Sequence, residues 1–128
     1  MTQKIVVNNN YKTTQTEIKS IIDNFDLIDD YIAKGTRNSI KKKKLESGKI
    51  ATIKSFKIPN IINKFVYRFF RKSKAERSYE YAKELIRLGF LTPYPIAFVE
   101  NKTAVSFRDS YYFCELVEAD LTYRELVE

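Results

Sequence analysis

The chain has 128 residues, a hydrophobic fraction of 44%, nine Phe and nine Tyr, which together indicate one globular domain with its own core. It has no histidine and one cysteine, Cys114, which excludes imidazole chemistry, an intrachain disulfide and Cys/His zinc sites. The net charge of +7 is uneven, because residues 34–87 hold 17 basic and 4 acidic side chains. This basic middle favours an anionic partner, namely nucleotide phosphates, nucleic acid or a membrane surface, although a single lysine is more often merely solvated.

The N-terminal residues 1–29 are predicted to form an extension made of a short strand and a helix. The β-branched run at 4–7 predicts an edge strand. Thr14 and Glu17 form a capping box that opens a helix running to about Phe25. The chain has no apolar run long enough for a membrane span or a signal peptide, so we expect a cytoplasmic protein.

The next part of the chain predicts three strands. One begins near Tyr31 and leads into the turn-like stretch 34–38. A lysine-rich strand at 39–46 and a more apolar one at 50–56 flank a Ser-Gly turn, which is typical of a hairpin.

Helices and two more strands follow. An apolar stripe predicts a helix over 60–71, and a second capping box at Ser73 opens a helix that runs to Leu88 and ends at a glycine. Strands are predicted at 96–100 and 110–117, and a last helix near Thr122. This order favours an α+β fold with about five antiparallel strands packed on one main helix, in addition to the N-terminal extension.

Lys54 and Glu76 are the first candidates for chemistry. The sequence Ala-Thr-Ile-Lys, which ends at Lys54, matches the V-A-I-K strand motif of protein kinases in its last two positions, the lysine included. In that motif the lysine pairs with phosphates and with a glutamate on a helix. Glu76 lies on the helix that follows. Each also has a structural explanation: Lys54 could face solvent, and Glu76 could cap its own helix at Ser73.

A second candidate region is the end of the last predicted strand. The run Tyr-Tyr-Phe-Cys-Glu-Leu-Val-Glu, residues 111–118, is laid out like the exit of a kinase N-lobe into its hinge. In such a hinge the backbone of Glu115 and Val117 would contact adenine, and Cys114 would lie at the back of the pocket.

Longer motifs carry a resemblance to a known family. The strand lysine, the helix sequence K-A-E-R-S-Y-E-Y-A at 74–82 and the turn T-P-Y-P at 92–95 resemble the lipopolysaccharide kinase family of the protein-kinase-like superfamily. The similarity covers about residues 30–128. It implies ATP-dependent phosphorylation of a Kdo or heptose hydroxyl in the lipopolysaccharide inner core, with residues 30–118 as the N-lobe and 119–128 as the start of a C-lobe.

The resemblance also implies an ATP site. Its candidate residues are Gly35, Arg37, Asn38, Lys54, Glu76, Glu115 and Val117. The glycine loop departs from the family pattern, since only Gly35 is present, and Arg37 or Asn38 would compensate. The catalytic Asp and Asn and the Mg-binding Asp-Phe-Gly would lie in a C-lobe beyond these residues, so this chain alone is expected to bind ATP weakly and to transfer no phosphate.

The alternative is a basic module without catalysis. Basic and aromatic side chains alternate along residues 60–72, which could dock on an anionic membrane surface, such as the inner face of the membrane, or bind nucleic acid. We expect nucleic acid to be the weaker choice, because no known nucleic-acid-binding motif is present. The stripe of apolar residues in this segment could equally pack into the core.

Overall fold

The computed structural model describes residues 2–11, 13–28, 31–34, 38–57, 72–102 and 107–116. They form six strands and two α-helices: β1 (Thr2–Val7), α1 (Gln15–Asp23), β2 (Tyr31–Lys34), β3 (Asn38–Lys44), β4 (Ile50–Lys57), α2 (Lys74–Arg87), β5 (Pro95–Lys102) and β6 (Phe107–Glu115). The strands build one antiparallel sheet in the order β1-β5-β6-β4-β3-β2. The predicted α+β class is confirmed. The helices predicted at 60–71 and near Thr122 lie outside the described residues.

The N-terminal extension shares the sheet and the core with the rest of the chain. β1 is an edge strand, as predicted, and pairs with β5 so that Val6 lies opposite Phe98. α1 buries Ile18, Ile21 and Ile22 in the same cluster as side chains of β4, β5 and β6. The extension therefore completes the fold by covering one face of the sheet.

The capping box of α1 is only half formed. Thr14 accepts a hydrogen bond from the backbone N–H of Glu17 at 3.1 Å, as the box requires. The Glu17 carboxylate instead accepts hydrogen bonds from the Thr13 hydroxyl, at 2.6 Å, and from the backbone N–H of Glu46, at 2.7 Å. Glu17 thus ties the start of α1 to the turn between β3 and β4.

Glycines end two elements where the backbone needs a positive φ. Gly48 has a φ of 93° in the β3–β4 turn, and Gly89 has a φ of 90° after α2. At the end of α2, Phe90 N–H donates to the Leu85 carbonyl and Gly89 N–H to the Ile86 carbonyl, which is the Schellman pattern. The predicted hairpin turn and helix end are both confirmed.

The two faces of the sheet bury different clusters. Side chains alternate along a strand, so Ile53 of β4 and Phe113 of β6 face α1, whereas Lys54 and Tyr112 face α2. The cluster on the α1 face is aliphatic and aromatic. The cluster on the α2 face is smaller and contains Tyr79, Tyr112 and Cys114. The α2 face is therefore the more polar of the two.

Lys41 is a buried cation on the α1 face. Its side chain is 2% exposed, and its Nζ donates a hydrogen bond to the carbonyl of Phe25 at 2.8 Å. The same Nζ lies 4.3 Å from the centroid of the Phe25 ring. Phe25 begins the short 3₁₀ turn Phe25–Leu27 that follows α1, so the ammonium stabilises a helical carbonyl through a charged hydrogen bond and a cation–π contact.

Replacing Lys41 with methionine is expected to lower the free energy of unfolding by about 1–3 kcal/mol, because a buried carbonyl loses a charged donor. Methionine keeps most of the apolar stem, so the loss reports on the ammonium. Lys43→Met, an exposed position on the same strand, serves as the control. Urea unfolding followed by circular dichroism measures both variants, and equal midpoints for the two would contradict this role of Lys41.

Candidate functional site

A row of side chains crosses the α2 face of the sheet. The strand registers place five residues next to one another in it: Val6, Phe98, Tyr112, Lys54 and Ile40. α2 packs over this row, and the ring centroids of Tyr79 and Phe98 are 5.2 Å apart. Lys54 is half-buried and is the one cation in the row. Because it sits beneath a helix, it is not an ordinary surface lysine.

Lys54 lines a cleft of about 260 Å³ between β4, β6 and α2, named here the Lys54 cleft. Its polar lining consists of Lys54, Ser78, Tyr81, Thr92, Tyr112 and Cys114. The remaining lining is apolar and comes from α2 and from the turn that follows it. The described residues that line the cleft supply one ammonium group, four hydroxyls and a thiol, and no carboxylate. Such a lining is suited to an anion.

Glu76 lies on the opposite flank of α2. It lines a separate groove together with Lys4, Lys83 and Arg87. An α-helix turns by about 100° per residue, so Glu76 is about 200° around the helix from Ser78, which faces the Lys54 cleft. Within the described residues no ion pair joins Lys54 to Glu76. The structure therefore does not bring together the two residues that the kinase-like motif predicts as partners.

The capping box at Ser73 is only half formed: within the described residues no hydrogen bond joins the Glu76 carboxylate to the backbone of Ser73, which was the alternative explanation for Glu76. The backbone N–H of Glu76 donates to the hydroxyl of Ser73 at 3.0 Å, and Ser73 is the N-cap of α2. Lys72, just before this cap, pairs with Glu80 at 2.8 Å. Hydrogen bonding to Glu80 raises the pKa of the exposed Lys72 ammonium, and the charge of Glu80 adds to this shift. The start of α2 is thus fixed by a cap and an ion pair.

Glu115, a predicted adenine contact, has its side chain on the α1 face. Its carboxylate accepts a hydrogen bond from the Tyr11 hydroxyl at 3.0 Å, and its backbone N–H donates to the Tyr94 carbonyl at 2.9 Å. Tyr11 and Tyr94 stack with their ring centroids 6.0 Å apart. Burial raises the pKa of Tyr11, and the hydrogen bond to Glu115 raises it further. These three residues line a second cleft, of about 540 Å³.

Thr52 and Cys114 lie opposite each other on β4 and β6, next to the row that contains Lys54. Both are almost completely buried on the α2 face. The Thr52 hydroxyl has no hydrogen-bond partner within the described residues. Cys114 also lines the Lys54 cleft.

Some predicted site residues cannot be placed. Gly35, Arg37 and Val117 lie outside the described residues, and only the backbone of Asn38 is described, at the start of β3. Ser78 was missed by the sequence reasoning. The signal that could have found it is its spacing with Tyr81, Ala82 and Leu85, which is the i, i+3, i+4, i+7 stripe of one helix face.

No family model, curated protein or solved structure matches the chain. In the described part of the chain, no group of three acidic or cysteine side chains could hold a metal ion, and no helix is long and apolar enough to cross a membrane.

Proposed function

We propose that the protein binds ATP on the α2 face of its sheet, as the N-lobe of a kinase that resembles those acting on Kdo or heptose in the lipopolysaccharide core. The observation that carries the proposal is the position of Lys54. It lies on the third strand of the β2-β3-β4 meander and faces the helix that follows. Protein kinases hold their phosphate-binding lysine on the third strand, next to a helix.

The lining of the Lys54 cleft supports this proposal. An ammonium group can neutralise phosphate charge, while hydroxyls donate hydrogen bonds to phosphate oxygens. The volume of about 260 Å³ is below the roughly 300–1,000 Å³ typical of pockets for whole small ligands. The described residues therefore fit the phosphate end of ATP. Contacts to the base are assigned, through the resemblance, to the backbone after β6.

In this proposal, ATP supplies the phosphoryl group when it is bound, and the described residues orient its phosphates. Lys54 holds the phosphates from the floor of the cleft, and Cys114 closes its back. The sugar acceptor and the Mg²⁺ that accompanies ATP enter the proposal through the resemblance. The described residues bind and position the nucleotide and supply no group that activates the sugar hydroxyl.

Calorimetry with Mg-ATP tests the proposal. Lys54→Met is expected to weaken binding at least tenfold, because it removes the cation under the phosphates. Lys43→Met removes the same charge from an exposed position on β3, and its affinity is expected to stay within twofold of the wild type. If the wild-type chain shows no binding of Mg-ATP, or if Lys54→Met binds as well as the wild type, the proposal is wrong.

A second candidate is a basic module that binds an anionic membrane surface or nucleic acid without catalysis. The observation that favours it is a groove between α1 and β3 that is lined by Lys42, Lys43 and Lys44. The segment 60–72 that was expected to dock on a membrane is outside the described residues except for Lys72, which pairs with Glu80. Equal losses of anion binding in Lys54→Met and Lys43→Met would favour this second function.

A further inference from the structure

β1 forms an open edge of the sheet. It pairs with β5 on one side, over all six residues from Thr2 to Val7 and without a bulge. The opposite edge strand, β2, has four residues and a register shift between Tyr31 and Ala33. Short strands, bulges and prolines protect the edges of sheets from pairing with a further strand. β1 is longer and regular, and it contains no proline, so it lacks these protections.

The outer backbone groups of β1 belong to its odd-numbered residues. Just after β1, the N–H of Asn8 donates to the carbonyl of Ile96 at 2.8 Å, so the even-numbered residues direct their N–H and C=O groups toward β5. On the outer side, the side-chain amide of Gln15 donates to the carbonyl of Ile5 at 3.1 Å. Within the described residues, this is the one hydrogen bond to an outer backbone group of β1. The carbonyl has a second lone pair, so the outer groups can pair with a further strand.

The sequence of β1 fits a second copy of itself. In an antiparallel pair of β1 strands centred on Ile5, the two Ile5 residues exchange hydrogen bonds, and Gln3 of each copy exchanges them with Val7 of the other. Lys4 then lies opposite Val6 of the second copy. A pair centred on Lys4 would place two ammonium groups opposite each other, which is unfavourable. The register centred on Ile5 therefore uses all the outer residues and avoids a contact of like charges.

We propose that two copies of this chain associate through β1, so that their sheets join into one continuous antiparallel sheet. The distribution of charge favours this surface. The whole chain carries a net charge of +7, whereas residues 1–29 hold three lysines and four acidic side chains. The lysine-rich strand β3 lies near the opposite edge of the sheet. Two copies that meet at β1 therefore approach through a nearly neutral part of the chain, which limits their mutual repulsion.

Sedimentation velocity and amide hydrogen exchange of the 128-residue chain test the proposal. Between about 10 and about 500 µM, we expect the mass to rise from 15.1 kDa toward twice that value. The amides of Gln3, Ile5 and Val7 are expected to exchange at least tenfold more slowly at the higher concentration, because they become hydrogen-bonded in the dimer. The amides of Lys4 and Val6 already pair with β5, so we expect them to be protected at the lowest concentration as well.

Two pairs of variants test the edge and its register. Ile5→Pro removes an N–H that β5 does not use, and it is expected to weaken dimerisation at least tenfold. Ile5→Val keeps this N–H and is expected to stay within threefold of the wild type. Val6→Glu places a carboxylate opposite Lys4 of the second copy, and Val6→Lys places an ammonium there. We therefore expect Val6→Glu to dimerise at least fivefold more tightly than Val6→Lys. Circular dichroism checks that each variant is folded.

Three outcomes would overturn the inference. The first is a wild type that stays monomeric at the highest concentration. The second is a dimer in which the amides of Gln3, Ile5 and Val7 exchange as fast as in the monomer, because another surface would then join the copies. The third is equal affinity of Val6→Glu and Val6→Lys, which would exclude the register centred on Ile5. If Ile5→Pro fails to fold, the exchange of the wild-type amides decides, since it requires no substitution.

Discussion

Replacing Phe113 with alanine is expected to lower the free energy of unfolding by about 3–5 kcal/mol. The side chain is 0% exposed and lies in the middle of β6, between Ile53 of β4 and Ala97 of β5. It belongs to the cluster that α1 covers, so its removal leaves a cavity that the neighbouring strands cannot close. For a domain with about 5–15 kcal/mol of total stability, this loss is severe.

Phe90→Ala is the matched control for this prediction. Phe90 follows α2 and is 60% exposed, so its removal is expected to change the free energy of unfolding by about 0.5 kcal/mol or less. Guanidinium unfolding at neutral pH measures both variants. Comparable losses for the two would show that the packing on the α1 face is not what holds the sheet together.

The order and type of the described elements could be predicted from the sequence because the signals are local. Alternating apolar residues define the strands, Thr14 and Ser73 cap the helices, and Gly48 and Gly89 end elements where φ must be positive. The strand order could not be predicted in the same way. The pairing of β1 with β5 joins residues about 95 positions apart, such as Ile5 and Val99, and no local pattern reports on it.

The candidate site was predicted only in part, for a similar reason. Lys54 was placed correctly on a strand, and the alternation of side chains turns it toward α2. The choice of its partner depended on the rotation of α2, which is set by tertiary packing of Ala75, Tyr79 and Ala82 against the sheet. The spacing of residues in the motif does not predict that rotation. The apolar stripe of the helix does report on it, and it places Ser78 on the flank that lines the Lys54 cleft.

Glu17 and Glu115 illustrate a second limit. Glu17 had an expected role at a helix cap, and Glu115 had an expected backbone role at a hinge. In the structure the carboxylate of Glu17 accepts from the N–H of Glu46, and the carboxylate of Glu115 accepts from the Tyr11 hydroxyl. Both partners are distant in sequence and belong to loops. Hydrogen bonds between a carboxylate and a donor distant in sequence depend on the tertiary fold, so no local sequence pattern predicts them.

Buried tyrosines are expected to make the stability of the protein sensitive to alkaline pH. Burial raises the pKa of Tyr111 to about 12, and the negative charges of Asp109 and Asp26 add to the shift. A hydrogen bond with Ser55 opposes it. Burial also raises the pKa of Tyr112, and so do its neighbours Cys114 and Tyr79. In each case the fold favours the neutral phenol, because a phenolate would lose its hydration inside the sheet.

The sign of the pH effect follows from this shift. A phenol whose pKa is raised on folding contributes stability that is complete below its unfolded pKa of about 10 and is lost as the pH rises through the folded pKa. For Tyr111 this window runs from pH 10 to about 12, and the loss reaches about 2 kcal/mol at its upper end. For Tyr112 the loss of stability begins at the same pH and continues to a higher pH than for Tyr111.

We therefore expect the free energy of unfolding to fall steeply above pH 10, and to fall less steeply in Tyr111→Phe and Tyr112→Phe, which have no phenol to ionise at that position. Tyr81→Phe is the control, since Tyr81 lies on α2 and is 72% exposed. Urea unfolding between pH 8 and pH 11.5 gives the slopes, and absorbance at 295 nm reports phenolate formation. Lysines also titrate in this range, but they do so equally in all three variants. If the slopes of the Tyr111 and Tyr112 variants match that of Tyr81→Phe, the buried phenols do not control alkaline unfolding, and deprotonation of the lysines would be left as its cause.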